Sequence, residues 1–501
     1  MNLVQSQRSR VVASVLVFVA GLAVGPVACH KDTKSAEPTP STAPSAETKK
    51  APLADRDIAQ AIRRYMKKDS VLRSEHVEVV VTQGIAKLTG LVASLLAKEH
   101  AVRVAETIKG VRAVVDQVTV ATVARTDTQL KSDVTSALQR DIATRPFAIG
   151  VAVKDGNVTL SGTTDSWQQR SLFADVAKTV NGVKALENSI GVHYAATRSE
   201  SEIATDVKRR IANDVWLDGN VLGVTATGHT VHLMGVVGSV GQKSRAHTDA
   251  WVVGVEVVDD GGIVVDWSLR NDQRHITDYP VRSDAEITQA VRDAFHLDAR
   301  LNTQEPQVAA HNGVVLLYGS VSDASARRAA EADANATLGV WHVRNEVLSQ
   351  PLGKVSDADI ERGVKRVLSD DPFFADGNAI KVSSIKGMVT LKGTVSPDFA
   401  RFDAIEDVAA IPGVAEIDDA LVVKLLPSEI KASIEDRLSW DPLVDRALVT
   451  VAVGTDGVAT LTGTLDAWSE IKAAADDARR GGATRVVNTL KLKNHPEFVA
   501  Q

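Results

Sequence analysis

Three offsets recur six times along the 501-residue chain, and that recurrence limits the fold more than any single motif does. An apolar run ends in Leu88-Thr89-Gly90, Leu160-Ser161-Gly162, Leu233-Met234-Gly235, Leu317-Tyr318-Gly319, Leu391-Lys392-Gly393 and Leu461-Thr462-Gly463, with successive glycines 72, 73, 84, 74 and 70 residues apart. Nineteen or twenty residues after each comes a second glycine: Gly110, Gly182, Gly254, Gly339, Gly413 and Gly482. Six residues beyond that stands Asp116, Asn188, Asp260, Asn345, Asp419 or Asn488. Chance does not keep three offsets in step six times, so the chain is a tandem array of one small unit.

Each unit opens on apolar residues spaced i, i+4, i+8: Ile58/Ile62/Met66, Leu130/Val134/Leu138, Ile203/Val207/Ile211, Ile287/Val291/Phe295, Ile360/Val364/Leu368 and Ile430/Ile434/Leu438. That spacing is one stripe of an amphipathic helix, and Asp, Ser and Glu just ahead of it suit a helix N-terminus. A turn follows in several copies, clearest at Asp371-Pro372 and Asp441-Pro442. Alternation such as Val77/Val79/Val81 then predicts a strand, and a glycine turn leads into a second strand, giving a hairpin. A second helix ends at the second glycine, and a third strand closes the unit.

The fold class expected is therefore α+β: six tandem α-β-β-α-β units, each a three-stranded mixed sheet with two helices on one face. Units of about seventy residues are marginal alone, so neighbours are expected to pack together. The longest spacing falls between copies three and four, where Asp266–Arg282 with Pro280 forms an extra linker, which suggests an arrangement of three plus three.

The first thirty residues are an address rather than fold. Arg8 and Arg10 precede the uncharged run Val11–Val24, too short to span a bilayer but suited to a secretory signal. Gly25-Pro26 breaks the run ahead of Val27-Ala28-Cys29, and Cys29 is the only cysteine in the chain. A small residue directly before a cysteine resembles the lipobox of bacterial lipoproteins, with Pro26 a departure, and implies acylation of Cys29. A plain signal cleaved near Ala28, or a retained anchor helix, are the alternatives. The expected boundaries are a signal over 1–28, a Pro/Ser/Thr linker over 29–54, units over 55–123, 127–194 and 199–267, a linker over 268–282, and units over 283–350, 356–425 and 427–495.

The unit resembles the BON domain. Asp155-Gly156-Asn157-Val158-Thr159-Leu160-Ser161-Gly162 with Gly182-Val183 and Asn188 carries the resemblance. So does Asp456-Gly457-Val458-Ala459-Thr460-Leu461-Thr462-Gly463 with Asn488. Copy three departs at Gly228-His229-Thr230, and copy four has a poor first strand containing Pro306. The resemblance implies a non-enzymatic protein on the periplasmic side of the envelope, lipid-anchored to the outer membrane, that associates with anionic phospholipid or a membrane surface and contributes to envelope integrity or osmotic stress tolerance. The alternative is a periplasmic scaffold or holdase-like stress protein that docks envelope proteins.

No cofactor, metal site or catalytic set is expected. A single cysteine excludes an intrachain disulfide and Cys-based metal sites. A net charge of -6 and 4% aromatic residues argue against a nucleic-acid partner. The Gly235–Ser244 run fails the phosphate-loop spacing. His229 and His232 lack a completing ligand cluster, and half the recurrent Asp/Asn positions carry Asn, which cannot do acid–base work and points to a backbone-bonding role. Membrane contact is expected at two places. The first is the basic first helix and turn of copy one, with Arg63, Arg64, Lys67, Lys68 and Arg73, a solvated helix face balanced by Asp55, Asp57 and Asp69 being the alternative. The second is Trp167 and Trp468, which share one slot at a helix start, with core packing as the alternative.

Overall fold

The computed structural model describes residues 53–493 and 495–499 apart from short stretches, the longest being 269–281, 371–379 and 396–404. The signal segment, Cys29, nearly all of the first linker, Arg73, the Asp371-Pro372 turn and most of the second linker lie outside the described residues.

All six apolar triplets are buried, from Ile58, Ile62 and Met66 to Ile430, Ile434 and Leu438. They lie on helices such as Asp55–Lys68 and Pro427–Trp440, and each such side chain contributes about 1.5–3 kcal/mol on leaving water. The helix lies over the first hairpin strand. In copy one Val79 and Val81 point into the core while Val80 between them is 58% exposed, the period of two of a half-buried strand. Each sheet has the order first–second–third strand. In copy one the hairpin pair is antiparallel, with Val79 opposite Leu88, and the third strand runs parallel to the second, with Leu88 opposite Asp116. The same pattern holds in the other five. The helix between the second and third strands makes the crossover that parallel pairing requires.

Copy three carries an irregular register between His232 and Met234, where its third strand has the extra length of Asp259–Gly262. In copy four the strand Gln307–His311 begins directly after Pro306, so the proline costs no ladder hydrogen bond. Copy six has a fourth strand, His495–Val499, pairing antiparallel on the edge of Arg485–Leu492.

The strand-end glycine is required by close approach. At Gly463 the backbone has φ +149°, and a Cβ there would lie 2.0 Å from the carbonyl oxygen of Leu448, the residue just ahead of the neighbouring strand Val449–Val453; a Cβ at Gly90 would lie equally close to the His76 carbonyl oxygen.

The cores do not divide three plus three. One continuous core joins copies one and three, whose second helices, Leu95–Glu106 and Val240–Asp249, contribute Ala97, Ala101, Ala105 and Ala246. A second joins copy six to Val215 of copy three and Leu338 of copy four. Short side chains on facing helices let the backbones approach and bury what a single unit leaves exposed.

Gly463→Ala should lower stability by about 2–4 kcal/mol through backbone strain and collision. Gly228→Ala, in the open left-handed turn of copy three with nothing within 4 Å, should cost about 1 kcal/mol. Urea unfolding of the two variants against the parent checks the contrast.

Candidate functional site

The first carboxylate of each opening helix does more than complement the helix dipole. Asp127 accepts from the backbone N–H groups of Asp155 and Gly156 at 2.9 and 3.0 Å, tying the hairpin turn to the helix start. Asp55, Asp284 and Asp357 do the same for Gln83-Gly84, Asn312-Gly313 and Lys386-Gly387, and Glu200 for Gly228. In copies one, two, four and five these turns place two successive residues at positive φ, as at Asp155 (54°) and Gly156 (81°), and so aim both N–H groups the same way, whereas copy three has only Gly228 there and makes one bond. Copy six has Pro427 at its helix start instead.

A second recurrent aspartate ends the opening helix: Asp69, Asp141, Asp214, Asp298 and Asp441 each accept from a backbone N–H two or three residues on. Sequence reading assigned the first set to helix starts and recognised only Asp441-Pro442 of the second. The repeat spacing marks all of these positions, but their partners are 28 to 30 residues away in the first set and so are invisible to local pattern.

The Asp/Asn slot of the third strand is structural. Asp116, Asn188, Asn345, Asp419 and Asn488 each accept from the backbone N–H two residues on, at 2.9–3.3 Å. Asn serves as well as Asp because only an acceptor is needed. In copy three the bond moves to Asp259, and Asp260 instead meets Lys243 and His247. His232 pairs with Asp259, and His229 meets the Gly254 carbonyl, so neither joins a ligand set. Among the described residues no cluster of His, Cys, Asp and Glu is fit to hold a metal ion. Gln242, in the phosphate-loop look-alike, is buried and bonded to the Gly238 N–H and the Trp216 carbonyl.

The expected contact residues separate into two groups. On the first helix of copy one Arg56, Arg63 and Lys67 are exposed along one stripe, with Lys68 half-buried beside it. Among the described residues none of the four has a carboxylate at ion-pair distance. Arg64 leaves this set: it pairs with Asp436 of copy six at 2.8 Å and lies over the rings of Tyr65 and Trp440. Trp468 also fails to present an exposed tip. It is 6% exposed and meets Trp341 of copy four with ring centres 3.6 Å apart. Trp167 is half-buried, stacked on Trp251 of copy three at 5.1 Å with rings 9° from parallel. Both indoles join copies, because the helix start they occupy faces a neighbouring unit and an indole gains most by losing water.

The copies are joined by one repeated device. The residue before the second glycine donates its N–H to the last carbonyl of another copy's opening helix: Lys109 to Trp440 at 2.8 Å, and Leu338 to Asn213 at 2.7 Å. At the joint of copies three and four Val215 also donates to the Ala336 carbonyl; copy six has Pro442 after Asp441 and loses that bond.

The chain matches the BON domain over residues 54–122, 126–193, 199–266, 283–351, 356–424 and 428–494. It belongs to the BON domain family. It is 29% identical over 143 residues to the osmotically-inducible protein Y of Escherichia coli K12, a match spanning 27% of this chain and 71% of that protein. Two solved structures of CdsD, a structural protein of the type III secretion system of Chlamydia trachomatis, also align with it. One is 15% identical, covers 40% of this chain and 90% of that one, and has a TM-score of 0.12. The other, the C-terminal domain, is 16% identical, covers 42% and 99%, and has a TM-score of 0.13. Scores that low carry no argument.

Trp468→Ala should cost about 3–5 kcal/mol, read from urea unfolding, because it empties a packed contact between two copies. The turn carboxylates predict an acid limb. The N–H groups of Gly313 and Asn312 hold the Asp284 carboxyl below the usual range. A lowered native pKa contributes stability that is fully present above the unfolded value of about 3.9 and is lost as pH falls through the native value. Asp284→Asn should therefore be less stable than the parent at neutral pH, and the gap should close on acidification through that window, as followed by urea midpoints across a pH series.

Proposed function

We propose that this protein is a non-enzymatic envelope protein, anchored through acylated Cys29 on the periplasmic side of the outer membrane, whose BON array associates with anionic phospholipid and contributes to osmotic stress tolerance. The family and the osmotically-inducible relative support the setting. The observation that carries the lipid contact is the stripe Arg56, Arg63 and Lys67 with Lys68 on the first helix of copy one, the unit next to the linker; among the described residues none has a carboxylate partner, and Arg63 donates to the Val79 carbonyl. Cations near an anionic leaflet each contribute about 1 kcal/mol. The outer sheet face of the same copy exposes Val80, Ile85, Leu91 and Val115, with Lys87 lying between Val80 and Val115 across the three strands. This is an apolar surface that the headgroup region can cover. Among the described residues no helix is long and apolar enough to cross a membrane, so attachment rests on the anchor and on surface contact.

A second reading, docking of envelope proteins, draws support from the strand His495–Val499. It shows a BON sheet edge accepting an added strand, and the third strands of the other copies end their sheets.

Cosedimentation of the full chain with vesicles of phosphatidylglycerol or of phosphatidylcholine tests the first reading. Binding should favour the anionic vesicles and weaken at high salt. It should fall by about 100-fold in an Arg63→Gln, Lys67→Gln, Lys68→Gln variant, at about 1 kcal/mol per cation. Equal binding to both vesicle types, or no effect of the triple change, would rule out this contact and leave protein docking, to be read by crosslinking in intact cells.

A further inference from the structure

Copies one to three and copies four to six repeat one another position for position, although their cores cross between the two halves. Copies one and four correspond at an offset of 229 residues (Gly90 with Gly319, Gly110 with Gly339), and the opening helices of copies three and six at an offset of 227 (Ile203 with Ile430). The correspondence extends to contacts. Leu95, the first residue of its helix, enters the core of copy two, and its equivalent Ala324 enters the core of copy five. The aspartate pair Asp214 and Asp249 of copy three recurs as Asp441 and Asp477 in copy six. Two joints link the halves, copy one on copy six and copy four on copy three. They use equivalent backbone bonds, from the Lys109 N–H to the Trp440 carbonyl and from the Leu338 N–H to the Asn213 carbonyl.

Backbone bonds of this kind fit any helix end, so they do not choose which copy docks on which. An ion pair does. Arg64 of copy one meets Asp436 of copy six at 2.8 Å; at the other joint the equivalent positions hold Asp293 of copy four and Arg209 of copy three, 2.7 Å apart. The pair is kept and its polarity is reversed. Docking copy one on copy three instead would oppose Arg64 to Arg209, and docking copy four on copy six would oppose Asp293 to Asp436. Two attractions would become two repulsions. Neighbouring groups act in the same direction. The Arg64 guanidinium lies 5.9 Å over the Trp440 ring, whose face attracts a cation and repels a carboxylate, and Asn213 stands at the Trp440 position in copy three. Asp293 also accepts from Gln289, and Arg209 also pairs with Asp206, each on its own helix.

We propose that each three-copy half presents a docking surface whose charge accepts the other half and rejects its own, with Arg64, Asp436, Arg209 and Asp293 as the residues that determine the pairing. Both ion pairs are partly exposed, and a pair of that kind contributes little stability by itself. Its effect lies in the difference between the right and the wrong partner, to which all four charges contribute at once. An array of alike units needs such a device, because its turns and helix ends are otherwise interchangeable.

Disulfide trapping in the full chain tests this, with Cys29→Ser so that the traps carry the only thiols. Residues joined by a backbone hydrogen bond lie within disulfide reach. Leu338→Cys with Asn213→Cys therefore reports the native joint, and Lys109→Cys with Asn213→Cys reports copy one docked on copy three. After oxidative refolding from urea, the native charges should give the 338–213 disulfide and none at 109–213. Arg209→Asp with Asp293→Arg keeps both ion pairs but gives the two joints one polarity. About half of these chains should then form the 109–213 disulfide, the share expected of two equal dockings. Adding Arg64→Asp and Asp436→Arg restores opposite polarity and should abolish that disulfide, which separates pairing from any local fault at positions 209 and 293. If the ion pairs only stabilise, none of these chains forms the 109–213 disulfide. That result, a 109–213 disulfide with the native charges, or one that persists in the fourfold variant would overturn the proposal.

Discussion

Two helices covering one face of a three-stranded sheet leave each unit with too little core to stand far from its neighbours, and the rest of the structure follows from that shortage. The apolar triplets and the alternating strands close one side of every copy. The outer edges of the helices still carry alanine, tryptophan and tyrosine that gain stability only when another copy covers them. Hence Trp167 meets Trp251, Trp468 meets Trp341, and the alanines of copies one and three share one core.

The joints use backbone as well as side chains. A helix end has carbonyls with no partner of their own, and in this array the last carbonyls of two opening helices are met by N–H groups from another copy. Charged side chains gather at the same joints, since helix ends already concentrate Asp and Arg. That explains why Arg64, read along the chain as a surface cation, is a joint residue, and why buried carboxyl pairs recur in copies three and six. The outer sheet face and the basic stripe of copy one, by contrast, look to solvent.

Sequence and structure agree best where one residue's role depends on neighbours a few positions away. The i, i+4, i+8 stripes, the hairpin glycines and the third-strand Asp/Asn were legible because helix period, turn geometry and an acceptor bonding two residues on are local. They diverge at Trp468 and Arg64, whose partners lie in copies remote along the chain, and at the suggested three-plus-three division, which rested on linker length alone. Linker length limits where two domains can sit; it does not choose which apolar faces meet.

The amino-acid order by itself determined six copies of one α-β-β-α-β unit, because hydrophobic period and glycine placement specify secondary structure and the face each element buries. Tertiary packing decided which copies share cores, which indoles are removed from solvent and which carboxylates lose their water. Those outcomes depend on distances between units that no spacing along the chain encodes.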